Sequence, residues 1–325
     1  MKINCPIRTQ SRWLLPAVFT ILAGFQHSFG AITFVPGDYY SANYWSPTIT
    51  QYNPSGGVIG SFNVPSSLSS DVRGLAFGPD GLLYASAVQG SGFAVLAIDS
   101  SGTVQQTYAM SSVYLAGNLS YGKIAVNGQY IYVAGANQVT RFNVGDPNSG
   151  TSIYQNNQLF DVNILPNGNL LAASAYYIDE ITSSGSTVRS IPGYFVDIRG
   201  IAYNPTSNDL FVTELGYTGF SFQLMRLDAT SGAVEASTGF WYGDDLYLTD
   251  TGQLLVGSRT QAAGIFTQNL VQTGTLGSSS QMFVTECVVP EPSACALLIT
   301  SAVALLAISK GRSKLLISLM AWAAR

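Results

Sequence analysis

The chain has 325 residues, of which 47% are hydrophobic, 12% aromatic and only 10% charged, with a formal net charge of −4. That balance excludes a basic nucleic-acid binder, and three cysteines are too few for a disulfide framework. The only histidine is His27, so a domain beginning after it has no imidazole for a Ser-His-Asp triad, a His general base or a His-ligated metal.

In chain order, Lys2, Arg8 and Arg12 precede the apolar stretch Trp13 to Phe25, and Ser28 and Gly30 are the small residues that a cut before Ala31 needs. The pattern predicts a secretory signal peptide over 1–30 and export through the Sec machinery. The body, 31–287, holds seven basic and seventeen acidic side chains, a balance of −10. Such a surface repels nucleic acid and anionic lipid and suits cations or neutral polar ligands. Cys5 lies ahead of the body, Cys295 behind it and Cys287 at its edge, which leaves no internal disulfide and no paired-cysteine zinc site.

Within the body, Arg73 to Ser86 sets two apolar runs around Pro79-Asp80-Gly81, a hairpin signal; Phe93 to Ile98 and Thr103 to Tyr108 supply a third and a fourth strand. The hairpin recurs at Ile124 to Val133, Val162 to Leu171, Gly200 to Val212 and Leu246 to Val256. Its turn residues Gly81, Gly128, Gly168, Asn208 and Gly252 are 47, 40, 40 and 44 apart. Four short strands per period of about 40 residues predict an all-β fold, a β-propeller. Upstream, Gly37 to Ser41, Ile49 to Asn53 and Val58 to Phe62 make the second to fourth strands of an earlier unit, and Gln281 to Thr285 is left over at the far end. Mixed termini should therefore close a ring of six blades, with seven as the alternative.

Polar residues gather where the first strands begin: Asp71, Arg73, Lys123, Asp161, Asp197, Arg199, Asp244 and Asp245. In a propeller the first strand is innermost, so these residues could ring one mouth of the central channel and hold a cation or sugar hydroxyls. The plainer reading is that they pair with one another and cap strand ends. Aromatics cluster at Tyr39, Tyr40, Tyr44 and Trp45, at Tyr176 and Tyr177, and at Phe240, Trp241 and Tyr242. They serve either as packing between blades, the commoner use, or as stacking platforms for glycans.

The hairpin text resembles the propellers of the NHL-repeat and gluconolactonase-like group over most of 34–285. That resemblance implies an alternative function, a lactonase-like hydrolase holding Ca²⁺ or Mg²⁺ on oxygen ligands, for which Asn118, Asp161, Asn163, Glu214 and Asp245 are the matching residue types. The family's ligand motif is not matched residue by residue, and the first expectation is a binding or structural module with no catalytic residue and no cofactor.

After the body come Val289-Pro290-Glu291-Pro292-Ser293, an uncharged run over 294–309, and the basic cluster Lys310, Arg312 and Lys314. The prolines end regular structure. Sixteen residues rise about 24 Å as a helix, slightly short of a hydrocarbon core of roughly 30 Å, and the cations favour the cytoplasmic side. The segment 288–325 resembles a PEP-CTERM sorting tail, although Leu315 to Arg325 extend past the cluster where the family usually ends. The resemblance implies a membrane helix, recognition by an exosortase, and a place in the cell envelope, outer surface or matrix, with exopolysaccharide or a surface protein as partner.

Overall fold

The computed structural model describes residues 33–288 apart from 70, 90–91, 111–121, 136 and 216–221. The expected signal peptide, sorting motif, membrane helix and basic cluster lie outside the described residues. Within them are twenty-four strands and no helix, arranged as six four-stranded antiparallel sheets. The alternation that marked each hairpin is the reason. Residues of one parity face the neighbouring blade on one side and those of the other parity face the next.

Blades 2 to 6 take four consecutive strands each, starting from the inner strands Val72–Phe77, Lys123–Val126, Leu159–Ile164, Ile198–Asn204 and Gly243–Leu248. Blade 1 is composite. Its inner strand is Phe283–Glu286, paired antiparallel with Tyr39–Ala42, followed by Thr48–Tyr52 and Val58–Asn63. Each inner strand touches the next around the ring, and Gly243–Leu248 touches Phe283–Glu286, which closes it. The ring is six-bladed, and the leftover strand is the piece that completes it.

Six apolar clusters fill the six gaps between adjacent blades among the described residues. Large rings occupy these wedges, as in the edge-to-face contacts of Tyr40 with Phe34 at 5.5 Å and with Phe77 at 5.0 Å. Near the axis the blades come too close for side chains. A Cβ on Gly74 would stand 2.2 Å from the Gly122 carbonyl oxygen, and one on Gly257 2.2 Å from that of Met282.

The inner strands all run from one face of the ring, here the leading face, to the opposite, trailing face. Four of them carry a one-residue slip at equivalent places, between Val72 and Gly74, Leu159 and Asp161, Ile198 and Gly200, and Gly243 and Asp245. A bulge re-aims side chains at a sheet end. Here it sets the geometry of the channel mouth.

Candidate functional site: the channel and its leading face

The sequence-predicted polar residues separate into two levels along the axis. At the leading mouth, the bulge residues Arg73, Arg199 and Asp244 form ion pairs with short-range partners. Arg73 donates from Nε to Asp71 Oδ1 at 3.1 Å and from its terminal nitrogen to Oδ2 at 3.0 Å. Arg199 pairs with Asp197, and the fully buried Asp244 is gripped by Arg259, whose Nε lies 2.9 Å from Oδ2. Aromatic faces back these guanidinium groups: Tyr44 under Arg73 at 4.4 Å and Phe160 under Arg199 at 4.8 Å. At this level Arg73, Arg199 and Arg259 neutralise Asp71, Asp197 and Asp244.

One layer deeper, Lys123, Asp161 and Asp245 occupy the channel itself and do not belong to the rim. Lys123 of blade 3 forms an ion pair with Asp245 of blade 6, three places round a ring of six, so the contact spans the channel. Both aspartates also join neighbouring inner strands. Asp161 accepts the Val162 amide at 2.7 Å and the Ile201 amide at 2.8 Å; Asp245 accepts the Leu246 and Val284 amides, each at 2.9 Å. Burial pushes the Asp161 carboxyl up to about 7 even though Lys123 opposes the shift, and it raises Asp245 as well. Lys123 is the only lysine in 31–288. At the axle of the ring one ammonium pairs with Asp245 and acts through space on Asp161. A cavity of about 250 Å³ adjoins them, continuing past Asn163 and Tyr247 toward the trailing face.

This arrangement does not fit a divalent cation, because an ammonium already stands against Asp245. Glu214 is placed apart, at the leading end of blade 5, where one of its oxygens accepts the Val196 amide at 3.1 Å and burial raises its carboxyl. Asn118 lies outside the described residues. Among the described residues no group of three or more His, Cys, Asp or Glu side chains has metal-holding geometry.

The aromatics divide. Tyr39, Tyr40 and Phe240 are buried between blades, as packing requires. Trp45, Tyr176, Tyr177 and Trp241 are each more than half exposed, and so is Tyr194, which the sequence reading did not single out. All five sit in loops of the leading face; the exposed aliphatic residues lie elsewhere, Val58, Ile59, Val188, Val234 and Val271 on or beside the outermost strands and Val35 ahead of Tyr39–Ala42. Two leading-face aromatics hold left-handed backbone, Trp45 at φ 67° and Tyr242 at φ 52°. Bulky residues rarely adopt that conformation, and outliers of this kind gather at binding sites. The Pro192-Gly193 dipeptide before Tyr194, a loop signal, was the available one for it. Arg259, in a loop of blade 6, had none.

No protein-family model matches the chain, and no curated protein matches it. Solved structures do. A protein of unknown function from Bacteroides caccae is 12% identical with a TM-score of 0.56, covering 77% of this chain and 98% of that one. A chain of a nidogen/laminin complex has the same identity and coverages with a TM-score of 0.60. At such identity the likeness shows the fold alone. With 1112 matching chains, the fold by itself assigns no chemistry.

Proposed function

We propose that this propeller is an exported binding module of the cell envelope or exopolysaccharide matrix, and that its leading face takes a neutral polysaccharide. The carrying observation is the five exposed aromatic side chains on leading-face loops of blades 1, 4, 5 and 6, on the same face as a mouth whose arginines and aspartates pair with one another. Stacking of sugar faces on rings needs no ligand charge, and rigid rings lose little freedom on binding. Paired arginines and aspartates leave no strong field to select an ionic ligand. The leader over 1–30 supports delivery by Sec, and the Val289–Ser293 motif with the basic cluster Lys310, Arg312 and Lys314 supports sorting by an exosortase-type system.

A protein partner is the second reading, favoured by the likeness to a chain of a nidogen/laminin complex. The lactonase-like alternative is the weaker one, since Lys123 stands against Asp245, one of the carboxylates that a metal would need.

The test is native electrophoresis of the purified protein through gels containing soluble bacterial polysaccharides. At least one polysaccharide should retard the parent, and Trp45→Ala with Trp241→Ala should restore free mobility. Unretarded migration in every gel would sink the polysaccharide reading. For sorting, Pro290→Ala with Glu291→Ala should leave the protein in the inner-membrane fraction, and unchanged release would refute that part.

A further inference from the structure

We infer that the groove between blades 5 and 6 on the trailing face is a second binding site, for a single neutral sugar or other polyhydroxyl unit, distinct from the leading-face platform. The groove encloses about 660 Å³ and reaches the channel at Asn163 and Tyr247. Its walls come from the hairpin turns that end the two inner strands, Pro205 to Ser207 and Thr249 to Gly252, together with Gln268.

The chemistry of the walls defines the ligand. Amides and hydroxyls dominate, two tyrosines contribute to the lining, and among the described residues no lysine or arginine lines the groove. The amides are held in place and still have capacity. Asn204 donates one amide hydrogen to Gln268 Oε1 at 2.9 Å and accepts the Thr206 amide; Gln268 donates one hydrogen to the Gly252 carbonyl at 3.0 Å. Each –NH₂ has a second hydrogen. The Thr249 and Thr251 hydroxyls lie 3.0 Å apart and Thr249 also accepts the Gln253 amide at 2.9 Å, which together satisfy only part of their joint capacity. The carboxylate at the site, on exposed Asp250, adds acceptors and disfavours anions. Fixed donors and acceptors of both kinds, beside two tyrosines and without a cation, suit hydroxyl groups on a compact carbon skeleton. An acidic sugar or a phosphate would meet Asp250 and the buried Glu286, whose oxygen accepts the Asp250 amide at 2.7 Å.

The test uses the full chain and saturation-transfer NMR with maltose, cellobiose and lactose as probes. At least one should give saturable transfer. Thr206→Trp, at an exposed turn position that fills the groove, should weaken it by at least about tenfold. Ser207→Trp is the second blocking variant if the first does not fold. Val58→Ala, on the outer strand of blade 1, should leave the probe's affinity unchanged. Absence of saturable transfer with all three probes, or full affinity in a folded blocking variant, overturns the inference. Failure of the leading-face reading is seen separately, as loss of gel retardation with the probe still bound.

Discussion

Replacing Lys123 by methionine tests the channel in one step. Lys123 and Asp245 are 3% and 8% exposed as side chains, so solvent screens neither. Methionine keeps most of the aliphatic stem, so little cavity is created. What remains is an uncompensated buried carboxylate, a loss of about 3–5 kcal/mol when one partner of a buried pair is removed. Asp161 leans on the same cation, which places the effect near the upper end, about 5 kcal/mol at about pH 8. Acid should rescue the variant. Without Lys123 both carboxyls rise further, so near pH 5.5 the folded state takes up protons that the unfolded state, with aspartates near 3.9, leaves in solution. The deficit should therefore shrink by about 2–3 kcal/mol between pH 8 and pH 5.5. Urea unfolding of parent and variant at both pH values measures it. A loss under about 1 kcal/mol at pH 8, or the same loss at both, would refute the account of one cation acting on both carboxylates.

The parent should show a related slope. With Asp161 at about 7 folded and about 3.9 unfolded, the folded state holds the extra proton across that interval, so this group's contribution falls as pH rises from about 4 to about 7. Asp161→Asn should flatten the curve there in the same urea titrations; the lowered carboxyls of Asp99, Glu180 and Asp228 act in the opposite sense, at lower pH. Gly257→Ala forces a methyl against the Met282 carbonyl and should lower stability by about 1–3 kcal/mol, read as a drop in the thermal midpoint. At Trp45, glycine should be more stable than alanine by about 1 kcal/mol because of the positive φ, while both weaken polysaccharide retardation. Amine-reactive labelling followed by peptide mapping should find Lys123 unmodified in the native protein and modified in urea.

The repeat was legible because each blade writes its hairpin locally. Asn208 even replaces glycine at the turn position and keeps its left-handed φ of 60°, beside 78° at Gly81 and 80° at Gly252. Ring closure could be read from a strand missing at one end and present at the other. The layering of the site could not. Arg73 and Lys123 look alike as basic residues opening inner strands, but Arg73 is the bulge residue on the rim, whereas Lys123 is the first paired residue below it, level with Asp161 and Asp245. Bulges are settled by packing at the axis, where Gly74 presses on Gly122, and that pressure has no local signature. For the same reason, the partnership of Lys123 with Asp245, 122 residues away, was invisible until the ring brought opposite blades together. Exposure of the aromatics was equally non-local. Tyr40 and Trp45 are five residues apart, yet one fills a wedge and the other stands in solvent.

The composite blade has a mechanical consequence. The first and last segments of the ring meet at its trailing side, where Gly37 donates to the Cys287 carbonyl and Cys287 to that of Asp38, both at 2.9 Å. A load applied beyond Val288 would enter through Phe283–Glu286, the strand at the axle, instead of through an outer edge. It would act along that strand and strain its bonds to Tyr39–Ala42, and the Val284 bond to Asp245, together instead of one after another. Attachment at that point also turns the leading face, with its exposed rings, away from whatever does the pulling.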